Sequence, residues 1–338
     1  MRSLLISFLL GSSLSAMAAD GALPDVGKVY QTHCATCHGA DRLGGVGPAL
    51  LPENLGRLRM GEAEKVIADG RSATQMPAFK GVIDPALIAG LREFIYTPPA
   101  EMPTWDEVAI LGSRIVHADE RKLPAKPAFT ADPMNLFIVV ESGDHHASII
   151  DGDRLAPIHR FQTRFALHGG PKFSPDGRFV YFASRDGWIT KYDIWNLTPV
   201  AEVRAGINTR NAAVSSDGKF IAVANYLPHS LVILDSDLKP VRVLPVADVS
   251  GKQSSRVSAV YDAGPRKSFV AALKDVKEVW EISYDPTKPD IPNGMVHDFQ
   301  YKEGAFMKAF LNPQRTQVED YLDDFFFTQD YADLMGAS

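Results

Sequence analysis

The feature that most constrains this 338-residue chain is its pair of cysteines, which stand three residues apart in Cys34-Ala-Thr-Cys37-His38 and are the only two present. The C-x-x-C-H spacing is typical of covalent haem attachment, in which two thioethers hold the porphyrin and the adjacent histidine ligates iron. A thioredoxin-like redox pair shares the cysteine spacing, but it belongs near a βαβ pattern and does not need the histidine. The motif therefore predicts a covalent c-type haem on Cys34 and Cys37.

Helix signals surround this motif. Asp25 is a predicted N-cap for a helix that runs toward Cys34, and a second helix fits residues 61–69. A third begins at Asp84-Pro85 and ends before Pro98. The sequence therefore predicts a small all-α domain.

A methionine lies in a loop ahead of the third helix, in Gln75-Met76-Pro77-Ala78-Phe79. Residues 25–97 resemble a class I cytochrome c, on the C-x-x-C-H motif, the Gly45–Leu50 loop, the Met-Pro-Ala-Phe loop and the last helix. The resemblance implies that His38 and Met76 are the axial iron ligands and that Pro48 packs near His38. A haem with both axial positions filled is suited to electron transfer rather than to substrate binding.

Beyond the Pro-rich stretch at residues 97–103 the sequence changes to β-branched and aromatic residues separated by Gly and Asp turns. Two segments, residues 173–183 and 214–224, repeat one pattern around Asp-Gly pairs at 176 and 217. Weaker copies flank them, and the phenylalanines that align the four copies are spaced by 42, 41 and 49 residues: Phe137, Phe179, Phe220 and Phe269. Each copy predicts a strand, a Ser-x-Asp-Gly hairpin turn and a second strand.

A repeat of about 40–45 residues with four short strands is typical of a propeller blade, and a β-sandwich with chance turn similarity is the alternative. The predicted fold class is thus mixed, an all-α class I cytochrome c domain followed by an all-β propeller. We expect a signal peptide at 1–18, the cytochrome c domain at 19–98, a linker at 99–110 and an incomplete propeller at 111–338. The propeller sequence suffices for about five blades, so we expect the chain to be truncated at its C-terminus.

His168 stands before Gly169-Gly170-Pro171, where two glycines allow the backbone to approach a flat ligand closely. A cytochrome c domain followed by the wording His-Gly-Gly-Pro-Lys-Phe-Ser-Pro-Asp-Gly-Arg at residues 168–178 resembles the cytochrome cd1 nitrite reductase superfamily, whose eight-bladed propeller carries haem d1. Within it, the segment 206–226 is more similar to the dihydro-haem d1 dehydrogenases of haem d1 biosynthesis. The resemblance implies that His168 is the proximal ligand of the haem d1 iron.

The same resemblance implies cations that answer the carboxylates of the macrocycle. The matching positions are four residues in successive repeats: Arg185, Arg210, Arg256 and Lys274. Arginine pairs with carboxylates through two parallel hydrogen bonds, which would orient the ring as well as hold it.

The reaction implied is the removal of two hydrogens from one propionate of a dihydro precursor, which leaves an acrylate, with electrons passing to the c haem and an external acceptor. The family's distal histidines have no match here, because no histidine follows His297. The catalytic base is therefore not identified. Two alternatives stay open: a nitrite reductase that forms nitric oxide, and a non-catalytic haem d1 carrier or electron-transfer cytochrome.

The first eighteen residues combine Arg2, an apolar run from Leu4 to Leu10 and small residues up to Ala18, which predicts a cleaved secretory signal and a periplasmic location. The formal net charge of −6 argues against nucleic acid and anionic membrane as partners. No run approaches the ~18 apolar residues of a membrane span. The expected partners are the haem d1 precursor, nitrite reductase and other haem d1 biosynthesis proteins, and an electron acceptor.

Overall fold

The computed structural model describes residues 25–101, 103–301 and 303–337, so the predicted signal peptide lies outside the described residues. The described α-helices lie in the first third of the chain: α1 (Val26–His33), α2 (Ala35–His38), α3 (Pro52–Leu55), α4 (Met60–Asp69), α5 (Pro85–Tyr96) and α6 (Glu107–Gly112). Short 3₁₀ helices follow at Glu120–Lys122, Pro133–Asn135 and Gly264–Arg266. Helices α1 to α5 form what we call the helical module, residues 25–97. Within the described part of the chain, no helix combines the length and apolarity needed to cross a membrane.

The three predicted helices of this module are confirmed, and their caps explain where they begin. The side chain of Asp25 accepts a hydrogen bond from the Gly27 amide at 2.9 Å, and that of Asp84 accepts one from Ala86 at 2.8 Å. These bonds satisfy amides that have no partner within the helix. The apolar face of α5 is buried against a core that includes Tyr30.

The rest of the chain is described as β-strands: β1 (Ile115–Val116), β2 (Leu136–Glu141), β3 (His146–Asp151), β4 (Ala156–Gln162), β5 (Lys172–Phe173), β6 (Phe179–Ala183), β7 (Trp188–Asp193), β8 (Thr198–Arg204), β9 (Asn208–Val214), β10 (Phe220–Leu227), β11 (Ser230–Asp235), β12 (Pro240–Pro245), β13 (Val257–Ala263), β14 (Ser268–Leu273), β15 (Glu278–Ser283), β16 (Ile291–Asp298), β17 (Glu303–Met307), β18 (Pro313–Gln317), β19 (Asp324–Phe327) and β20 (Leu334–Ala337). We call residues 113–337 the β module.

The strands form antiparallel sheets that follow one another along the chain, in the orders β2-β3-β4, β1-β8-β7-β6-β5, β12-β11-β10-β9 and β13-β14-β15-β18, followed by the pair β19-β20. Each sheet packs its face on the next through a buried apolar layer. Representative layer residues are Ile149 with Val180, Tyr181 with Ile221, Leu231 with Phe269, and Ala272 with Phe325. This succession is that of propeller blades, and the sheets of the described residues do not form the two facing layers of a sandwich.

The predicted Asp-Gly hairpin turns are confirmed in two successive sheets. In the first turn, the Asp176 side chain accepts hydrogen bonds from the Ser174 hydroxyl at 2.5 Å and the Arg178 amide at 3.1 Å. Asp217 repeats this arrangement one blade later with Ser215 at 2.7 Å. The glycine after each aspartate has φ +70°, a conformation that glycine adopts without strain.

Two parts of the chain differ from the sequence prediction. The sequence predicted only strands after the Pro-rich stretch, and it predicted a regular repeat of four-stranded blades. Helix α6 forms after the Pro-rich stretch because the Asp106 side chain accepts a hydrogen bond from Ala109 at 2.9 Å. Strand β1 then joins the outer edge of a later sheet by pairing with β8. The hairpin β16-β17 interrupts the last blade, whose outer strand β18 returns to pair with β15.

The two modules touch through a small apolar cluster. Ala49 and Leu51, from the loop after the C-x-x-C-H motif, are buried with Ile207 and Leu227 of the β module. Trp105, between the modules in sequence, packs against this cluster. The contact brings the Gly-rich loop of the helical module against the ends of β8 and β9.

Candidate functional site

The His38 side chain is held in one orientation by the loop that follows it. Its Nδ1 donates a hydrogen bond to the carbonyl oxygen of Pro48 at 2.8 Å, and the side chain is 8% exposed. Gly47 lines the ring so closely that a Cβ there would lie 2.9 Å from Cε1 of His38. Burial lowers the pKa of His38, and the bond to Pro48 only partly opposes this. The imidazole is therefore neutral, with Nε2 available as a ligand.

Cys34 and Cys37 both have free thiols. Cys34 is the N-cap of the short helix α2, which ends at His38, so the two sulfur atoms and the imidazole belong to one turn of chain. Burial, together with the neighbouring Cys37, raises the pKa of the Cys34 thiol to about 11. Free thiols beside an oriented histidine fit covalent attachment of a haem.

Met76 lies in the loop between α4 and α5, and its side chain packs half-buried on the apolar core of the helical module together with Cys34. The loop is held against the end of α4, because the Arg71 amide donates to the Met76 carbonyl oxygen at 3.2 Å. The approach is so close that a Cβ on Gly70 would lie 2.9 Å from the same oxygen. The donor set of Cys34, Cys37, His38 and Met76 therefore fits a covalent haem with histidine and methionine ligands.

His168 is presented in the same way as His38. Its Nδ1 donates to the carbonyl oxygen of Arg210 at 2.7 Å, and its backbone amide donates to Ala183 at 2.8 Å. A Cβ on the next residue, Gly169, would lie 2.7 Å from the Asn211 side chain. The close packing of this glycine on β9 sets the ring beside the strand. Nδ1 carries the proton, since a carbonyl oxygen only accepts, and Nε2 carries the lone pair.

Two guanidinium groups converge on that lone pair. Arg185 Nη2 lies 2.9 Å and Arg210 Nη1 lies 3.0 Å from Nε2 of His168. Over residues 25–101, 103–301 and 303–337, neither arginine forms an ion pair with a carboxylate, and Nε of Arg210 is buried with no hydrogen-bond partner. Cations removed from water in proteins are usually paired with an anion. Two neighbouring arginines without a carboxylate partner therefore predict an anionic ligand.

The positive charge of Arg57, in the helical module, acts on both His168 and Arg185, and we call Arg57, Arg185 and Arg210 the arginine cluster. Burial lowers the pKa of Arg185, and the like charges of Arg57 and Arg210 lower it further. Burial also lowers the pKa of His168; the bond to the Arg210 carbonyl opposes this, while the three cations add to it. No sequence pattern indicated Arg57, because nothing local connects residue 57 with residue 168.

The other two predicted cations are engaged by carboxylates of the chain itself. Arg256 donates to both carboxylate oxygens of Asp275, with Nη2 at 2.5 Å and Nε at 2.9 Å. Lys274 forms an ion pair with Asp323. The structure thus brings Arg185 and Arg210 to His168, whereas Arg256 and Lys274 have their own partners.

The four cations occupy two kinds of position. Arg210 lies in the first strand of its sheet and Arg256 directly precedes the first strand of the next. Arg185 follows β6 and Lys274 follows β14, which are equivalent second strands.

His297 lies on the exposed hairpin β16-β17, where its Nδ1 is 2.7 Å from a carboxylate oxygen of Glu303.

Comparisons with known proteins agree with this organisation. The family model described as "Cytochrome D1 heme domain" matches residues 131–310, and that described as "Cytochrome C oxidase, cbb3-type, subunit III" matches residues 21–95. The chain is 53% identical over 335 residues to the dihydro-heme d1 dehydrogenase of Pseudomonas aeruginosa strain PAO1, covering 99% of this chain and 63% of that protein. It is 25% identical over 318 residues to the nitrite reductase of Stutzerimonas stutzeri, covering 85% of this chain and 55% of the reductase.

A solved structure described as "Dihydro-heme d1 dehydrogenase NirN in complex with DHE" matches with a TM-score of 0.81 and 54% sequence identity, over 93% of this chain and 63% of that one. The chain thus spans less than two thirds of the length of these relatives. Since the first family model covers more than half of the chain, the protein belongs to the cytochrome D1 heme domain family, with a cytochrome c module ahead of the family domain.

Proposed function

We propose that this protein is a periplasmic c-type cytochrome that binds dihydro-haem d1 at His168 and oxidises one of its propionate side chains to an acrylate. The observation that carries the proposal is the His168 imidazole, whose Nε2 faces the guanidinium groups of Arg185 and Arg210 at 2.9 and 3.0 Å. An oriented neutral imidazole beside unpaired cations suits an iron porphyrin with several carboxylates. The similarity to a dihydro-heme d1 dehydrogenase over 99% of the chain supports the same function.

His168 would ligate the substrate iron through Nε2, and Arg185 and Arg210 would turn from the imidazole to the substrate carboxylates. Arg57 would add its charge from the helical module. Arg256 and Lys274 remain candidates, but each would have to share its charge with Asp275 or Asp323. The arginine cluster is therefore the part of the site that orients the macrocycle.

The oxidation converts –CH₂–CH₂–COO⁻ into –CH=CH–COO⁻ and releases two protons to water and two electrons. Cys34, Cys37, His38 and Met76 would hold the covalent haem, which would supply a one-electron acceptor. The electrons would leave in single steps to an external one-electron acceptor. The product, haem d1, would pass to nitrite reductase or to proteins of haem d1 biosynthesis.

The test uses the full protein, with its covalent haem, purified from a periplasm that makes haem d1. Ferric protein is mixed with dihydro-haem d1 without oxygen, and the c-type and d1-type absorption bands are followed together. We expect reduction of two equivalents of c haem for each haem d1 formed, and no nitric oxide when nitrite is added afterwards. Retention of the macrocycle without c-haem reduction would indicate a carrier, and no retention would indicate an electron-transfer cytochrome; either result overturns the proposal.

A further inference from the structure

Arg204, the last residue of β8, is a buried cation at the contact between the two modules. Its side chain is 8% exposed, and burial lowers its pKa. Its guanidinium hydrogen bonds go to backbone carbonyls: Nε donates to Asp186 at 2.8 Å, and Nη2 donates to Leu43 of the helical module. The buried carboxylate of Asp186 opposes the effect of burial by raising the pKa of Arg204, although the side chain of Arg204 donates to the Asp186 carbonyl rather than to the carboxylate. Burying a guanidinium is costly even beside one carboxylate, so the two backbone carbonyls that this side chain joins are the feature to explain.

The Leu43 carbonyl belongs to the loop that orients His38. The amide of Gly44 donates to the His38 carbonyl at 2.8 Å, and the amide of Gly47 donates to Cys37 at 2.8 Å. The same loop supplies Pro48, which accepts from the His38 ring. A Cβ on Gly44 would lie 3.3 Å from Nη2 of Arg204, so the guanidinium is packed on this loop. Arg204 therefore touches the loop that sets the position of one candidate iron ligand.

The Asp186 carbonyl belongs to the turn that carries Arg185. Arg185 directly precedes Asp186 in sequence, and its guanidinium reaches His168. The backbone of this turn packs closely against Gly206, since a Cβ on Gly187 would lie only 1.8 Å from the Gly206 carbonyl oxygen. This close packing restricts the turn. One side chain thus links the loop of His38 to the turn of the arginine cluster through two hydrogen bonds.

The Arg204 residue is itself held from three directions. The Trp105 indole Nε1 donates to the Arg204 carbonyl at 2.7 Å, and its ring lies 5.0 Å from the guanidinium carbon. The Arg204 amide donates to the Ser113 hydroxyl at 2.9 Å. A planar guanidinium held in this way loses little further conformational freedom when it bridges two acceptors. A lysine ammonium lacks the planar fork of donors and would not make the same pair of hydrogen bonds.

We propose that Arg204 is a positioning residue, which sets the His38 imidazole relative to the His168 site and so governs how fast electrons pass from substrate to the c haem. The inference rests on the proposed function for its kinetic part. Its structural part concerns only residues of this chain, and it holds or fails by a separate measurement.

The test compares Arg204→Lys and Arg204→Met with Arg178→Lys. Arg178 is a matched control, since it directly precedes β6 of the same sheet and its side chain is only 14% exposed, but it pairs with Asp193 within the β module. For both Arg204 variants we expect faster hydrogen exchange at the amides of residues 44–47, a changed c-haem reduction potential, and c-haem reduction by dihydro-haem d1 slowed at least about tenfold. Arg178→Lys should leave the exchange at residues 44–47 and the potential at wild-type values.

Two results would overturn the inference. Wild-type exchange and potential in a folded Arg204→Lys protein would show that the bridge does not hold the loop, and equal slowing in Arg178→Lys would show that any weakening of this sheet has the same effect. Should Arg204→Met fail to fold, Trp105→Phe removes the bond to the Arg204 carbonyl at 2.7 Å while keeping the aromatic ring, and faster exchange at residues 44–47 is expected again. Wild-type protein that binds substrate without reducing its haem would refute the proposed function, while the exchange measurement would still decide on Arg204.

Discussion

Nδ1 of His168 lies 2.7 Å from the carbonyl oxygen of Arg210, which makes Arg210 both the residue that orients this imidazole and one of the two whose guanidinium covers its free nitrogen. Backbone and side chain of one residue thus act on the two ring nitrogens. The backbone bond fixes the tautomer, and under the proposed function the guanidinium would have to leave Nε2 before that nitrogen could bind iron.

Replacing His168 by alanine should abolish retention of dihydro-haem d1 while leaving the covalent haem in place. The reason is that an iron ligand is removed from the β module and none from the helical module. Absorption spectra after gel filtration measure both pigments in the same sample. His159→Ala is the control, because His159 stacks on Phe161 in β4. Undiminished retention in His168→Ala would exclude this residue from the site.

Arg185→Lys and Arg210→Lys should each weaken dihydro-haem d1 binding about 10-fold or more, since each loses one two-pronged bond to a carboxylate. Arg256→Lys should change the affinity less, because Asp275 already takes both of its hydrogen bonds. Titration by absorbance gives the three dissociation constants. An equal loss in Arg256→Lys would mean that the pairing with Asp275 does not persist when the macrocycle binds.

Gly47→Ala should displace the His38 ring, because the new Cβ would lie 2.9 Å from Cε1 and 3.0 Å from Nδ1. Overpacking of this kind costs about 1–3 kcal/mol. The expected results are a lower thermal unfolding midpoint and a weaker low-spin ferric spectrum. Gly61→Ala is the matched control: it lies in α4 with nothing within 4 Å of its Cβ position. There we expect unchanged or slightly higher stability.

Met76→Ala should lower the c-haem reduction potential and open the iron to added imidazole, because a thioether ligand favours the reduced state. Met60→Ala serves as control, since Met60 is 38% exposed at the start of α4. Redox titration and imidazole binding test the assignment. A wild-type potential in Met76→Ala would point to a different sixth ligand.

Glu202 should give the β module a pH-dependent stability. Burial alone would raise its pKa, but hydrogen bonds from Arg164, Thr190 and His117 hold the pKa below the usual 4.5. The contribution is therefore complete above pH 4.5 and is lost as the pH falls through the folded-state value. Glu202→Gln should lower the free energy of unfolding by about 2 kcal/mol at pH 7.

The difference between wild type and Glu202→Gln should shrink below about pH 4.5. Urea unfolding followed by tryptophan fluorescence provides the measurement. Trp188 is a suitable probe, because the guanidinium carbon of Arg164, which donates to Glu202, lies 3.8 Å from the Trp188 ring centroid. A difference that stays constant down to pH 3 would contradict the assignment.

Local signals predicted the fold well. Asp25 and Asp84 cap helices through amides two residues away, and the turns at Asp176 and Asp217 close on serines two residues before. Such bonds depend on a few consecutive residues, which a sequence pattern displays directly.

The site was only partly predictable, because its decisive contacts are long-range. His168 and Arg210 were identified by resemblance, but the bond between them spans 42 residues. The same holds for Arg256, whose pairing with Asp275 spans 19 residues, and for Arg57, whose place in the arginine cluster depends on how two modules meet. Repeat position alone does not distinguish a free arginine from a neutralised one.

The hairpin β16-β17 leaves the last complete sheet after β15, and the chain re-enters that sheet at β18, where Ile282 pairs with Pro313. The blade is therefore completed by β18. Ile291 at the base of the hairpin is buried, whereas Met295 and Phe299 further out are 95% and 70% exposed. Lengthening the exposed end of the hairpin should therefore mainly change the entropy of closing a surface loop. Each doubling of such a loop costs about 0.6 kcal/mol. The length of this hairpin can therefore vary without affecting the sheets, and a reporter peptide inserted there should leave the packing between the sheets intact.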